Sequence, residues 1–136
     1  VFLEGFIMKI GLQAYIQGTV EAAEFYQKAF GATLGYNVRN ADGTFMHAEI
    51  NLDGQLLIAL SEASSSVDLE NIKRYSPSDY PTMNFSVSLG SEEAVKKAYE
   101  VLIEQGNILL PIGPLPWNTC CANVIDKFGI FWYVSV

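Results

Sequence analysis

The feature that most narrows what this 136-residue chain can fold into is that one pattern of elements occurs twice. In the first half, Met8, Ile10, Leu12, Ala14 and Ile16 alternate with Lys9, Gly11, Gln13 and Tyr15, the period of a half-buried strand over residues 8–17. Gly18-Thr19 then opens a helix, with Thr19 expected as the N-cap and Glu21 in the first turn, where the helix dipole favours an acid. Ala22, Ala23, Tyr26, Ala29 and Phe30 recur on one helical stripe, and Gly31 stops the helix. Strands are expected at residues 33–39, 44–52 and 55–61, joined by the Asp42-Gly43 and Asp53-Gly54 turns, which tolerate positive φ.

The second half repeats that order. A strand is expected at residues 83–89. A helix follows from Gly90-Ser91-Glu92-Glu93, with Val95, Ala98, Tyr99 and Leu102 as its apolar stripe and Gly106 as its end. Three strands then fall at 107–112, 118–125 and 130–136, with Asp126-Lys127-Phe128-Gly129 turning the chain between the last two. Individual residues keep the register: Ala22 and Ala94 are 72 apart, Tyr26 and Tyr99 are 73, Ala48 and Ala122 are 74, Gly54 and Gly129 are 75. A nearly constant offset is the signature of duplication. The expected architecture is therefore α+β, one domain of two tandem βαβββ modules at 8–62 and 83–136. Residues 63–82 read as a connector and residues 1–7 as a leading extension.

Composition bounds the function. Half the residues are hydrophobic and 17% are charged, enough core-forming material to exclude charge-driven disorder. No apolar run approaches the roughly 20 residues that cross a bilayer, so no membrane partner is expected. The first residues lack the basic n-region and small-residue cleavage site of a signal peptide. A net charge of −7 repels phosphate backbones and argues against nucleic acid. Cys120 and Cys121 are adjacent and would point to opposite faces of a strand, which disfavours a disulfide between them. Reduced thiols suit a cytoplasmic protein.

Three ordered runs carry a resemblance. They are Glu21-Ala22-Ala23-Glu24-Phe25-Tyr26 with Ala29-Phe30-Gly31-Ala32, then Met46-His47-Ala48-Glu49, then Asp126-Lys127-Phe128-Gly129 with Trp132 beyond it. The chain resembles the PhnB-like branch of the vicinal oxygen chelate superfamily, which includes glyoxalases, bleomycin-resistance proteins and dioxygenases. The resemblance implies two modules whose mostly antiparallel strands curve into a cup with helices outside, and a homodimer. It also implies metal ligands on the first, fourth, fifth and eighth strands. Carried onto this sequence those positions fall at Gly11 or Gln13, Ala59, Asn84 and Tyr133. Ala59 offers no donor, Asn84 and Tyr133 are weak ligands, and a single histidine forbids a two-histidine site within one chain. No metal and no other cofactor is expected.

Alternation places the Ile, Leu, Met and Val faces against the helices and leaves a polar face for the cup. That face carries Gln13, Tyr15, Phe45, His47, Glu49, Asn51, Ala59, Ser61, Asn84, Ser86, Ser88, Cys121, Asn123, Phe131, Tyr133 and Ser135. His47 and Glu49 share a face two residues apart. They read either as a general acid and base or as structural partners in the polar lining. Trp117, after the proline-rich run 110–116, either covers the cup's mouth and stacks on a planar ligand or fills a core or dimer contact. Cys121 lacks the basic neighbour that would activate a thiolate. The expected ligand-binding set is Gln13, Tyr15, Ser61, Asn84, Trp117, Cys121, Asn123 and Tyr133, with His47 and Glu49 as the catalytic candidates. The leading expectation is metal-independent binding of a small amphipathic or aromatic molecule. An enzyme using His47 and Glu49, alone or in an atypical metal site, and an interaction module with a self-filled cup are the alternatives.

Overall fold

The structure is a computed structural model, and it describes residues 9–63 and 82–136. The chain runs β1 (Gln13–Ile16), α1 (Thr19–Phe30), β2 (Thr33–Arg39), β3 (Phe45–Leu52) and β4 (Gln55–Glu62). It continues as β5 (Phe85–Ser88), α2 (Glu92–Leu102), β6 (Asn107–Leu115), β7 (Asn118–Ile125) and β8 (Phe131–Ser135). This is the expected pair of βαβββ modules. Each makes a four-stranded mixed sheet, ordered β1-β4-β3-β2 and β5-β8-β7-β6, in which only the β1/β4 and β5/β8 pairs are parallel. The leading extension 1–7 and nearly all of the connector 63–82 lie outside the described residues.

Alternation decides which face meets the helices. Ala48, Ile50, Ile58 and Leu60 from the first sheet and Ala122, Val124, Trp132 and Val134 from the second are completely buried. They form one core with Ala22, Tyr26 and Phe30 of α1 and Val95, Ala98 and Leu102 of α2. Burying each large apolar side chain contributes about 1.5–3 kcal/mol. The rings continue across the module boundary, since Tyr26 lies 5.5 Å and Phe30 5.0 Å from Trp132, centroid to centroid.

A polar knot also crosses that boundary. The Asp126 carboxylate, in the β7–β8 turn, is buried and accepts four hydrogen bonds. Tyr26 Oη donates to Oδ2 at 2.6 Å and Trp132 Nε1 at 2.8 Å. Phe128 N and Ile130 N donate to Oδ1 at 2.8 and 3.1 Å. Burial pushes the Asp126 carboxyl above its ordinary value while these donors pull it back, and burial beside Asp126 holds the Tyr26 phenol far above its own. Lys127 of the same turn reaches Glu21 of α1 at 2.7 Å.

Several expectations need correction. The first strand begins at Gln13, and the fifth spans only Phe85–Ser88. Thr19 is the first helical residue of α1; the cap position is Gly18, with φ 89°. The Glu62 carboxylate at the end of β4 takes over the cap, accepting from Gly18 N, Thr19 N and Thr19 Oγ1 at 2.8–3.0 Å. The freed Thr19 hydroxyl oxygen accepts from Phe45 N at 2.9 Å. Ser91 does cap α2, accepting from Ala94 N. Gly106 serves close packing, because a Cβ there would lie 2.6 Å from the Ile125 carbonyl oxygen; the left-handed residue after α2 is Gln105. Finally, β6 continues to Leu115 through Pro111 and Pro114. It tolerates both because it is an edge strand with repeated register shifts.

Candidate functional site

The faces turned away from the helices carry two related rows of side chains. In the first sheet Gln13 pairs with Ala59, which pairs with Glu49, and Tyr15 pairs with Ser61. In the second, Ser86 pairs with Tyr133, which pairs with Asn123, and Ser88 pairs with Ser135, which pairs with Cys121. Residues directly opposite on neighbouring strands share a face. Each row is therefore a contiguous strip across its sheet.

On the first strip the polar groups satisfy one another. His47 Nε2 and Glu49 Oε2 are 2.9 Å apart, both side chains one-third exposed. Gln13 Nε2 donates to Ser61 Oγ at 2.9 Å. Tyr36 adds its ring 6.1 Å from His47, and Tyr15 stands 72% exposed. Phe45 does not join this face. It is buried in the core, whereas Met46, expected in the core, is 56% exposed. The pairing explains the exchange: Val38 and Arg39 oppose His47 and Phe45, so Met46 is the extra residue of a β-bulge and the alternation resets across it.

The second strip is more enclosed. Cys121 and Ser135 are buried. The Cys121 thiol points to the Gly113 carbonyl oxygen at 3.6 Å, and among the described residues no activating base is hydrogen-bonded to it. Trp117 sits in the turn between β6 and β7, 72% exposed, and its Nε1 donates to Tyr133 Oη at 3.1 Å. That overturns a core-filling role for Trp117. Burial raises the Tyr133 phenol above its ordinary value; the hydrogen bond with Cys121 adds to the rise and the Trp117 bond opposes it. The Asn123 Oδ1 atom is buried and has no hydrogen-bond partner among the described residues. Asn84 is exposed and precedes β5, so the strip's fifth-strand member is Ser86 and not Asn84. Sequence reasoning did not separate Asn123 from its polar neighbours, because an unpaired oxygen is a property of three-dimensional surroundings.

The site positions of the superfamily's metal enzymes can now be tested in register. Of the expected ligand positions, Gln13 pairs with Ala59 in one sheet, Asn84 stands exposed just before β5, and Tyr133 pairs with Ser86 in the other. An amide, a methyl, a hydroxyl and a phenol do not suit a divalent transition metal, which prefers imidazole, carboxylate or thiolate. Among the described residues there is also no group of three or more His, Cys, Asp or Glu side chains that could hold a metal ion. The cysteines are free thiols, and no helix among the described residues is long and apolar enough to cross a membrane.

The family profile described as the Glyoxalase/Bleomycin resistance protein/Dioxygenase superfamily matches residues 13–134, and the chain belongs to that superfamily. Within it the chain is PhnB-like by structure. It is similar to a PhnB protein of Bacillus cereus at 26% identity, covering 94% of this chain and 98% of the other, with a TM-score of 0.74. A Pseudomonas aeruginosa protein matches at 20% identity and TM-score 0.72, covering 95% and 97%. The fosfomycin resistance protein FosX of Listeria monocytogenes, solved with Mn(II), shares the fold at 13% identity and TM-score 0.62, covering 96% and 90%. Comparison with curated proteins finds no match.

Proposed function

We propose that this chain binds a small amphipathic or aromatic molecule on its polar sheet faces without the help of a metal. The observation that carries the reading is the strip Ser86–Tyr133–Asn123 beside the exposed, hydrogen-bonded ring of Trp117. It joins a flat apolar surface to polar groups able to orient a ligand, the usual make-up of a small-molecule site. The metal-free part follows from the donor set at Gln13, Ala59, Ser86 and Tyr133. We further propose a homodimer, supported by the large exposed side chains Tyr15 and Tyr36 beside His47. A cytoplasmic setting fits the free thiols.

Thermal-shift measurement against a library of neutral amphipathic and aromatic compounds tests the reading. Hits that stabilise the native chain and lose their effect in Trp117→Ala support it. An absence of hits, or hits indifferent to the substitution, contradicts it. Light scattering on the eluting protein should give about twice the 15.0 kDa chain mass; a monomer mass refutes the dimer.

One observation favours a second reading. The 2.9 Å contact between His47 and Glu49, on a part-exposed face, has the geometry of an acid–base pair. An enzyme working through it loses turnover in His47→Ala while keeping its melting temperature.

A further inference from the structure

Among the described residues, one buried side-chain polar atom lacks a hydrogen-bond partner, and it lies on the second face. On the first strip His47 is satisfied by Glu49 and Gln13 by Ser61. On the second, Trp117 is satisfied by Tyr133 and Cys121 by Gly113. Asn123 Oδ1 is the buried side-chain atom that finds no partner among the described residues. Leaving such an acceptor unmade is destabilising, and a ligand that donates to it removes that cost.

We infer that Asn123 is the specificity determinant of the second face, and that it selects a neutral, planar ligand bearing an N–H or O–H donor. The inference rests on the small-molecule reading above and narrows its ligand class. Three features of the strip point the same way. Asn123 lies directly across from Tyr133, the residue that holds Trp117, so donor recognition and ring stacking fall on one face. The Asn123 side chain is only part-buried as a whole, and its terminal torsion is soft, so the amide can reorient toward a donor. None of Ser86, Ser88, Trp117, Cys121, Asn123, Tyr133 and Ser135 carries positive charge, and the chain's net charge is −7, so a carboxylate or phosphonate would enter without a counter-ion.

Three probes test this by NMR on the isotopically labelled full chain: 2-quinolinone, its N-methyl derivative and quinoline-2-carboxylate. The lactam with its N–H should shift the Trp117 indole and Asn123 side-chain amide signals. N-methylation should weaken binding about tenfold or more, because the donor is removed and the ring is kept. The carboxylate should bind least. Asn123→Leu should abolish the preference between the two lactams and, without ligand, raise the melting temperature by relieving the unpaired oxygen. If wild type binds both lactams equally, or the carboxylate best, the inference falls while the small-molecule reading stands. A lower melting temperature for Asn123→Leu also overturns it, since the oxygen would then be satisfied in the free protein. If none of the probes perturbs this face, inference and reading fall together.

Discussion

The two modules share a scaffold and differ in what they do with it. Ala48 and Ala122 occupy matching, completely buried positions on β3 and β7, and each module sets a helix against the apolar side of its sheet. The outward faces have diverged. Glu49 and His47 in the first module correspond, at the same offset of 74, to Asn123 and Cys121 in the second. A part-exposed, mutually satisfied His–Glu pair in one copy becomes an enclosed thiol and a buried amide oxygen in the other. Duplication preserved the packing, and chemical identity was free to drift where packing did not constrain it.

The turns differ as sharply as the faces, and this gives the largest expected effect. Asp126 gathers four donors and ties α1 of the first module to the second sheet, whereas Asp53 of the β3–β4 turn is exposed, with φ 51°. An Asn side chain at 126 must aim an amide N–H₂ at two of those donors. Asp126→Asn should therefore lower stability by about 3–5 kcal/mol in chemical denaturation, with Asp53→Asn close to neutral. Equal losses would erase the contrast. The sign of the pH effect also follows. Because the folded Asp126 carboxyl sits above its unfolded value, its contribution is most favourable below the unfolded value. That contribution is lost as pH rises through the folded one. The Asp126→Asn variant should lack this component of the pH–stability curve.

A smaller difference separates the helix starts. Removing Glu62 takes three hydrogen bonds from the α1 N-terminus, and Glu62→Ala should cost about 1–2 kcal/mol. Ser91→Ala removes one bond from α2 and should cost about 1 kcal/mol or less. Denaturant midpoints read both, and a larger loss for Ser91→Ala would reverse the comparison. The smallest change is at the pair on the open face. His47→Ala should shift stability by no more than about 1 kcal/mol, as part-exposed ion pairs do. Elemental analysis of protein purified without chelators should find no stoichiometric zinc, iron, nickel or manganese; a full equivalent would overturn the metal-free reading.

Much of this was legible before any coordinates. Periodicity placed all ten elements of the described residues, and β2 and β7 match their expected spans of 33–39 and 118–125. What sequence missed shares one physical cause, namely interaction between residues that are not neighbours in the chain. Thr19 looks like a cap until Glu62, 43 residues on, supplies a better one. Phe45 looks cup-facing until the bulge at Met46 resets the alternation. Asp126 looks like an ordinary turn residue until Tyr26, 100 residues earlier, donates to it. The polar strips themselves were foreseen from alternation, Ser86 included, while Asn84 stands exposed just ahead of β5.

The most direct test is a crystallographic fragment soak that lets both faces compete for the same neutral, donor-bearing rings. The account predicts density against Trp117 and Tyr133, with a ligand N–H or O–H on Asn123 Oδ1. Fragments gathering instead on His47 and Glu49, with Asn123 still unpaired, would contradict it.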